Sequence, residues 1–145
     1  MLREPRIADG RARVSKQNAR RSNGHRRTQL LAWLRELGTP CWICGHPIDT
    51  GLPSGDPMSL ECDELVPVSL GGSPLDRSNV ARAHRCCNNW RRAKPVGRVR
   101  DIQAIVTSSF GGSTSPVDFV AKAKAVERCP DAGTGKTPPL TTTEW

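Results

Sequence analysis

The chain has 145 residues with no Tyr, two Phe and four Trp, enough for one domain with tails around a core too small to be stable without reinforcement. The formal charge is +8, and residues 1–35 carry all of it, with ten Lys/Arg against two acids. The longest apolar run, Leu30 to Leu34, is too short for a membrane span or a signal-peptide core, so a cytoplasmic setting is expected, in which the six Cys stay reduced and read as metal ligands.

Residues 1–24 combine Arg, Ser, Asn and Gly with few apolar positions, which predicts a basic, disordered arm. His25 to Leu37 reads as an amphipathic helix: Leu30, Leu31, Leu34 and Leu37 form a stripe, Trp33 flanks it, and Gly38 is a natural stop. Pro40-Cys41 enters a Cys-x-x-Cys turn, and residues 45–58 form a Gly/Pro/Asp-rich loop. Ser59 to Pro67 is a predicted strand that ends at its Pro. A loop over 69–78 carries Gly71-Gly72 and Pro74, and Asn79 to Ala83 is a second short strand. His84 to Lys94 is a predicted helix, terminated by Pro95. Arg98 to Ser109 is a further helix with Ile102, Ile105 and Val106 inward, broken by Gly111-Gly112. Ser115 as N-cap and Pro116 at the first helical position start a last helix to about Arg128. Residues 129–145 are a Pro/Thr/Gly tail ending in Trp145, a residue suited either to docking or to a loose end. The expected fold class is α+β: a basic arm over 1–24, a core of two strands and a helix within 25–95, and a helical extension with a tail over 96–145.

Two half-sites have metal-ligand spacing. Cys41-x-x-Cys44 places two thiolates on one tight turn, and His84-x-x-Cys87 places two ligands about one helical turn apart. Cys41, Cys44, His84 and Cys87 are therefore the expected ligands of a structural Zn²⁺ that staples the unit. Cys86 competes with Cys87, and His46 with His84. Cys62 alternates with Asp63 along the strand and reads as a small core residue, while Cys129 reads as a free thiol.

The runs Cys41-Trp42-Ile43-Cys44, Glu61-Cys62-Asp63-Glu64-Leu65-Val66-Pro67, Gly71-Gly72, Asn79-Val80 and His84-Arg85-Cys86-Cys87-Asn88 stand in an order that resembles the HNH endonuclease family. The resemblance covers about residues 38–95 and is closest to small HNH proteins of actinobacterial phages and prophages. It implies a ββα-metal fold in which Asp63 and Asn88 bind a catalytic Mg²⁺ or Mn²⁺. It also implies that Asn79 pins the loop orienting the general base. The base position, His in the usual pattern, holds Glu64 here. The phage resemblance further implies action beside the terminase large subunit and portal during DNA packaging, in the cytoplasm of the bacterial host.

Phosphodiester hydrolysis accounts for these residue types. It requires an activated water, a stabilised pentacovalent phosphate and a neutralised leaving oxygen. Asp63 and Asn88 offer hard oxygen ligands suited to a divalent ion that keeps several waters. Neighbouring strand residues point to opposite sides, so a ligand and a base can be adjacent in sequence. Glu64 has three readings: a base weaker than His, a further metal ligand, or an inactivating change. Between Arg77 and Arg100 lie eight basic residues and no acid, which suggests phosphate contacts. Arg85, Arg91 and Arg92, with Arg26 and Arg27 of the first helix, make up the expected DNA-contacting set, and Asn88, Arg91 and Arg92 are expected on one helix face. Trp90, on the opposite side, is expected in the core. Double-stranded DNA is the expected substrate, with low or shape-based specificity. The alternative is a catalytically silent, zinc-containing DNA-binding or packaging module.

Overall fold

A pair of five-residue strands cannot hold itself together in water, so the architecture is set by what covers its two faces. The structure is a computed structural model that describes residues 24–129; the basic arm and the tail with Trp145 lie outside the described residues. Within them the chain is mixed α+β, in the order α1 (Gly24–Glu36), β1 (Leu60–Glu64), β2 (Val80–His84), α2 (Arg85–Arg91), α3 (Val96–Phe110) and α4 (Pro116–Arg128). The strands pair antiparallel, with Leu60 opposite His84 and Glu64 opposite Val80.

This register sorts the side chains. Glu61 and Asp63 of β1 share a face with Ala81 and Ala83 of β2, and Cys62 and Glu64 share the other with Val80 and Arg82. Ala83 joins Cys41, Ile43, Cys87 and Trp90 in the main core, completed by Val99, Ile102 and Val106 of α3 and Phe119, Ala123 and Val126 of α4. On the opposite face Leu30 and Leu34 of α1 bury Val80, with Trp33 and Cys62 packed alongside. Cys62 is thus the small apolar filler that strand alternation requires. Fully buried Leu34 and Ile102 each contribute about 1.5–3 kcal/mol, enough to fix the helices on the sheet.

Local chemistry places the helix ends. The Ser115 hydroxyl accepts from the Asp118 amide at 3.0 Å, and Pro116 opens α4. Gly111, at φ 70°, closes α3 in the left-handed conformation, its amide bonded to the Thr107 carbonyl at 3.1 Å. Trp90 meets Phe119 edge to face at 5.8 Å, locking α2 onto α4.

Two elements are shorter than the sequence pattern suggests. β1 stops at Glu64 rather than Pro67. The Leu65 amide still reaches the Asn79 carbonyl at 2.8 Å, but the next residue is taken over by a side chain. Asn79 Oδ1 accepts from the Val66 amide at 2.9 Å, and its Nδ2 donates to the Val66 and Ser73 carbonyls, each at 3.0 Å. α2 stops at Arg91 rather than Lys94, because Arg92 turns to φ 53° and the residue before Pro95 is driven out of the helical region.

Candidate functional site

The first half-site forms on a tight knuckle. The Gly45 amide donates to the Cys41 carbonyl at 2.9 Å, the Cys41 amide donates to the His46 carbonyl at 3.0 Å, and Gly45 takes φ 76° to close the turn. The Trp42 amide ties this knuckle to the Arg82 carbonyl of β2 at 3.0 Å. The second half-site sits where β2 runs into α2. The ligand atoms of Cys41, Cys44, His84 and Cys87 all lie within 4.8 Å of one another, close enough to hold a metal ion. No other such group of three or more occurs among the described residues.

The surroundings fit a cation. His84 Nε2 donates to the Pro47 carbonyl at 3.0 Å, so the lone pair is on Nδ1, which faces Cys44 Sγ at 3.3 Å. The three thiols compete for negative charge. Hydrogen bonds from Cys44 and Cys87 pull the Cys41 thiol down, while Cys41 pushes Cys44 up to about 12 and Cys87 upward as well. A bound cation would stabilise all three as thiolates together. Three sulfurs and one imidazole nitrogen in a buried pocket make a donor set compatible with structural Zn²⁺. Of the competing ligands, His46 bonds Ser113 Oγ at 2.9 Å and Cys86 lies outside the cluster. Cys129 is exposed and unpaired by any disulfide.

The second candidate site is a cavity of about 820 Å³ running along the outer edge of β1, lined by Arg27 and Leu31 of α1, the whole of β1, Pro67, Asn88 and Asn89 of α2, and Arg92. Its lining takes residues from both faces of the strand, Glu61 and Asp63 from one and Glu64 from the other. Asp63 and Asn88, expected as a pair of ligands, do line the same space. Each is held by hydrogen bonds to neighbouring side chains. Asp63 is buried; its Oδ1 accepts from Arg91 Nη1 at 2.6 Å and its Oδ2 from Trp42 Nε1 at 2.8 Å. Burial raises the Asp63 carboxyl above its ordinary value, an effect that Arg91 and Trp42 oppose. Each oxygen has one donor, so lone pairs remain for a cation. Asn88 Nδ2 donates to Glu61 Oε2 at 2.7 Å, and Glu61 Oε1 pairs with Arg85 Nη1 at 2.9 Å. Glu61 shares its face with Asp63 two residues on, and that spacing was the available signal for it. Trp42, between the two knuckle cysteines, gave none.

Arg91 corrects an expectation. It is 0% exposed and does not reach a surface phosphate. Its Nη1 serves Asp63 and the Glu64 carbonyl, Nη2 the Leu65 carbonyl and Nε the Lys94 carbonyl, the last at 3.1 Å. The shared face of Asn88, Arg91 and Arg92 is likewise absent, because Arg92 has left the helix. Arg85 is half exposed and committed to Glu61 along one edge. Arg92 is exposed on the cavity rim, Arg27 lines the cavity, and Arg26 lies with Arg77 at a separate surface pocket. Trp90 is buried in the core, its Nε1 bonded to Glu127 at 3.0 Å.

The Asn79 amide side chain pins the 65–73 loop beyond β1 through its bonds to Val66 and Ser73. Gly72 makes this closure possible, since a Cβ there would lie 1.7 Å from the Val66 carbonyl oxygen and 2.9 Å from Asn79 Nδ2. No helix among the described residues is long and apolar enough to cross a membrane. No protein-family model, curated protein or solved structure matches the chain.

Proposed function

We propose that this protein is a metal-dependent DNA endonuclease of the HNH type, its catalytic chemistry seated in the cavity along β1 and its fold stapled by zinc. The observation that carries this reading is the convergence of Asp63, Glu64 and Asn88 on one polar cavity beside a Cys₃His cluster. Arg27 adds support. Its buried Nη1 has no partner, and a phosphate oxygen in the cavity is the kind of acceptor it lacks.

In this reading a Mg²⁺ or Mn²⁺ would be held by Asp63 and Asn88 and would supply Lewis acidity at the phosphate. Trp42 and Arg91 orient the Asp63 carboxylate from behind, as supporting hydrogen bonds do for ligating carboxylates. Glu64 leaves the strand on the opposite face and takes the proton of the attacking water. Arg91 holds the Glu64 carbonyl and Asn79 holds the loop that follows, so the base is fixed at its backbone. Arg27 and Arg92 bind the flanking phosphates. Phage terminase and portal are the proposed partners, and DNA packaging the proposed setting.

A second reading, a silent DNA-binding or packaging module, is favoured by one observation: the Arg91 guanidinium already neutralises Asp63. Nicking of supercoiled plasmid by zinc-loaded protein separates the two. With Mg²⁺ or Mn²⁺ the endonuclease reading expects nicking that Glu64→Ala and Asp63→Ala abolish. It also expects Glu64→His to retain or raise the rate, by up to about tenfold from the stronger base. Binding of plasmid without any nicking in either metal would select the silent module.

A further inference from the structure

The oxygen of a carboxamide can serve a hard cation only if the amide nitrogen points elsewhere, and at Asn88 the choice is made by a neighbour. Asn88 Nδ2 lies 2.7 Å from Glu61 Oε2. An ionised carboxylate only accepts hydrogen bonds, so this contact admits the nitrogen of Asn88 and rejects its oxygen. Glu61 is held in turn by Arg85, whose Nη1 meets the other carboxylate oxygen at 2.9 Å. Two charge-assisted bonds therefore run in series from Arg85 through Glu61 to Asn88, all three drawn from β1 and the first turn of α2. Glu61 and Asn88 both line the cavity. Asp63, by contrast, is oriented by a separate pair of donors, Trp42 and Arg91.

We infer that Glu61 is a positioning residue for the cavity, holding the Asn88 carboxamide with Oδ1 toward the divalent cation, and that Arg85 acts through Glu61 rather than chiefly on DNA. The inference rests on the endonuclease reading for its cation and adds to it the device that selects an oxygen over a nitrogen donor. It explains why a residue as ambiguous as Asn can stand at a hard-ligand position. Without Glu61, a turn of about 180° around the last torsion of Asn88 would present an NH₂ group to the cation, since that torsion has two nearly equivalent minima.

The test is Mn²⁺ binding to the zinc-loaded full-length chain, followed by titration calorimetry and by the electron paramagnetic resonance of free Mn²⁺. Glu61→Gln keeps the size of the side chain but can also donate, so it tolerates the flipped amide; Mn²⁺ affinity is expected to fall about tenfold or more. The double variant Glu61→Gln/Asn88→Asp is decisive, because an aspartate at position 88 offers oxygen in either orientation. It is expected to recover affinity to within about threefold of the parent, which a merely structural loss would not do. Zinc content and melting temperature, measured alongside, should be unchanged in both variants. Glu61→Gln binding Mn²⁺ as tightly as the parent, or a double variant no better than the single, overturns the positioning role while leaving the nuclease reading intact. A parent protein that takes up no ion beyond its zinc overturns both.

Discussion

Arg91 carries a full charge into a position with no solvent exposure, where every guanidinium nitrogen has an acceptor: one carboxylate and three carbonyls. Such a group is affordable only while its partners stay in place. Truncating Arg91→Ala leaves Asp63 buried without its counter-charge and frees three carbonyls, so stability should fall by about 3–5 kcal/mol. Chemical denaturation of the zinc-loaded protein would measure this, and a loss below about 1 kcal/mol would show that the pair does not clamp β1 to α2. In the sequence Arg91 looked like one more member of a basic stretch. Charge alone cannot distinguish a surface arginine from a buried one, because burial is decided chiefly by Asp63 and the Glu64 and Leu65 carbonyls, which another segment contributes. Asp63, Asn79 and Asn88 could be singled out as candidates because the spacing of chemically specific residues survives without knowledge of the fold, and Asp63 and Asn88 line one cavity. Glu61 and Trp42 were not, since their contribution is a hydrogen bond to another site residue.

At the level of elements, helix ends were readable where a local rule operates, as at Ser115-Pro116 and Gly111, and strand ends were not. β1 ends early because the Asn79 side chain substitutes for a strand partner, a tertiary event that hydrophobic alternation cannot foresee. That substitution makes a prediction at Gly72. Its missing Cβ is the space occupied by the Val66 carbonyl, so Gly72→Ala must displace the loop, at a cost of about 1–3 kcal/mol. Thermal unfolding of this variant, compared with Gly71→Ala in the neighbouring left-handed turn, is the check. Equal melting temperatures for Gly72→Ala and the parent would show that the loop is not closed in this way. If the Cys₃His cluster holds a structural zinc, the strand pair and α2 depend on it. A structural zinc contributes on the order of 10–16 kcal/mol, which equals or exceeds the whole stability of an ordinary small domain. Cys87→Ser is therefore expected to lose zinc by mass spectrometry and to unfold without cooperativity. A cooperative transition in zinc-free protein would contradict the staple.

At the scale of the whole molecule, two sets of donors stand at different places on the sheet-and-helix unit. Soft sulfur and imidazole donors gather where the knuckle meets the start of α2, and hard oxygen donors gather along the free edge of β1. Arg27 and Arg92 line the cavity beside the acids of that edge and are the two basic groups there that the proposed polyanion could meet. If these arginines contact phosphates, Arg27→Ala and Arg92→Ala should each weaken duplex binding and flatten its logarithmic salt dependence by about one unit. Fluorescence anisotropy between low and physiological salt would read this, and unchanged slopes would place the duplex elsewhere on the surface. The α+β class and the order of elements followed from composition, turn residues and metal spacing. The packing of α4 onto α2 was beyond the sequence, because Trp90 and Phe119 meet across 29 residues without a local signature.

The most direct test of the account is to locate two metals at once, by anomalous scattering from crystals of zinc-loaded protein soaked in Mn²⁺. The account predicts a zinc peak among Cys41, Cys44, His84 and Cys87 and a manganese peak in the β1 cavity, in bonding reach of Asp63 and Asn88. A manganese-free cavity, with the Arg91 guanidinium as the sole cation beside Asp63, would contradict it.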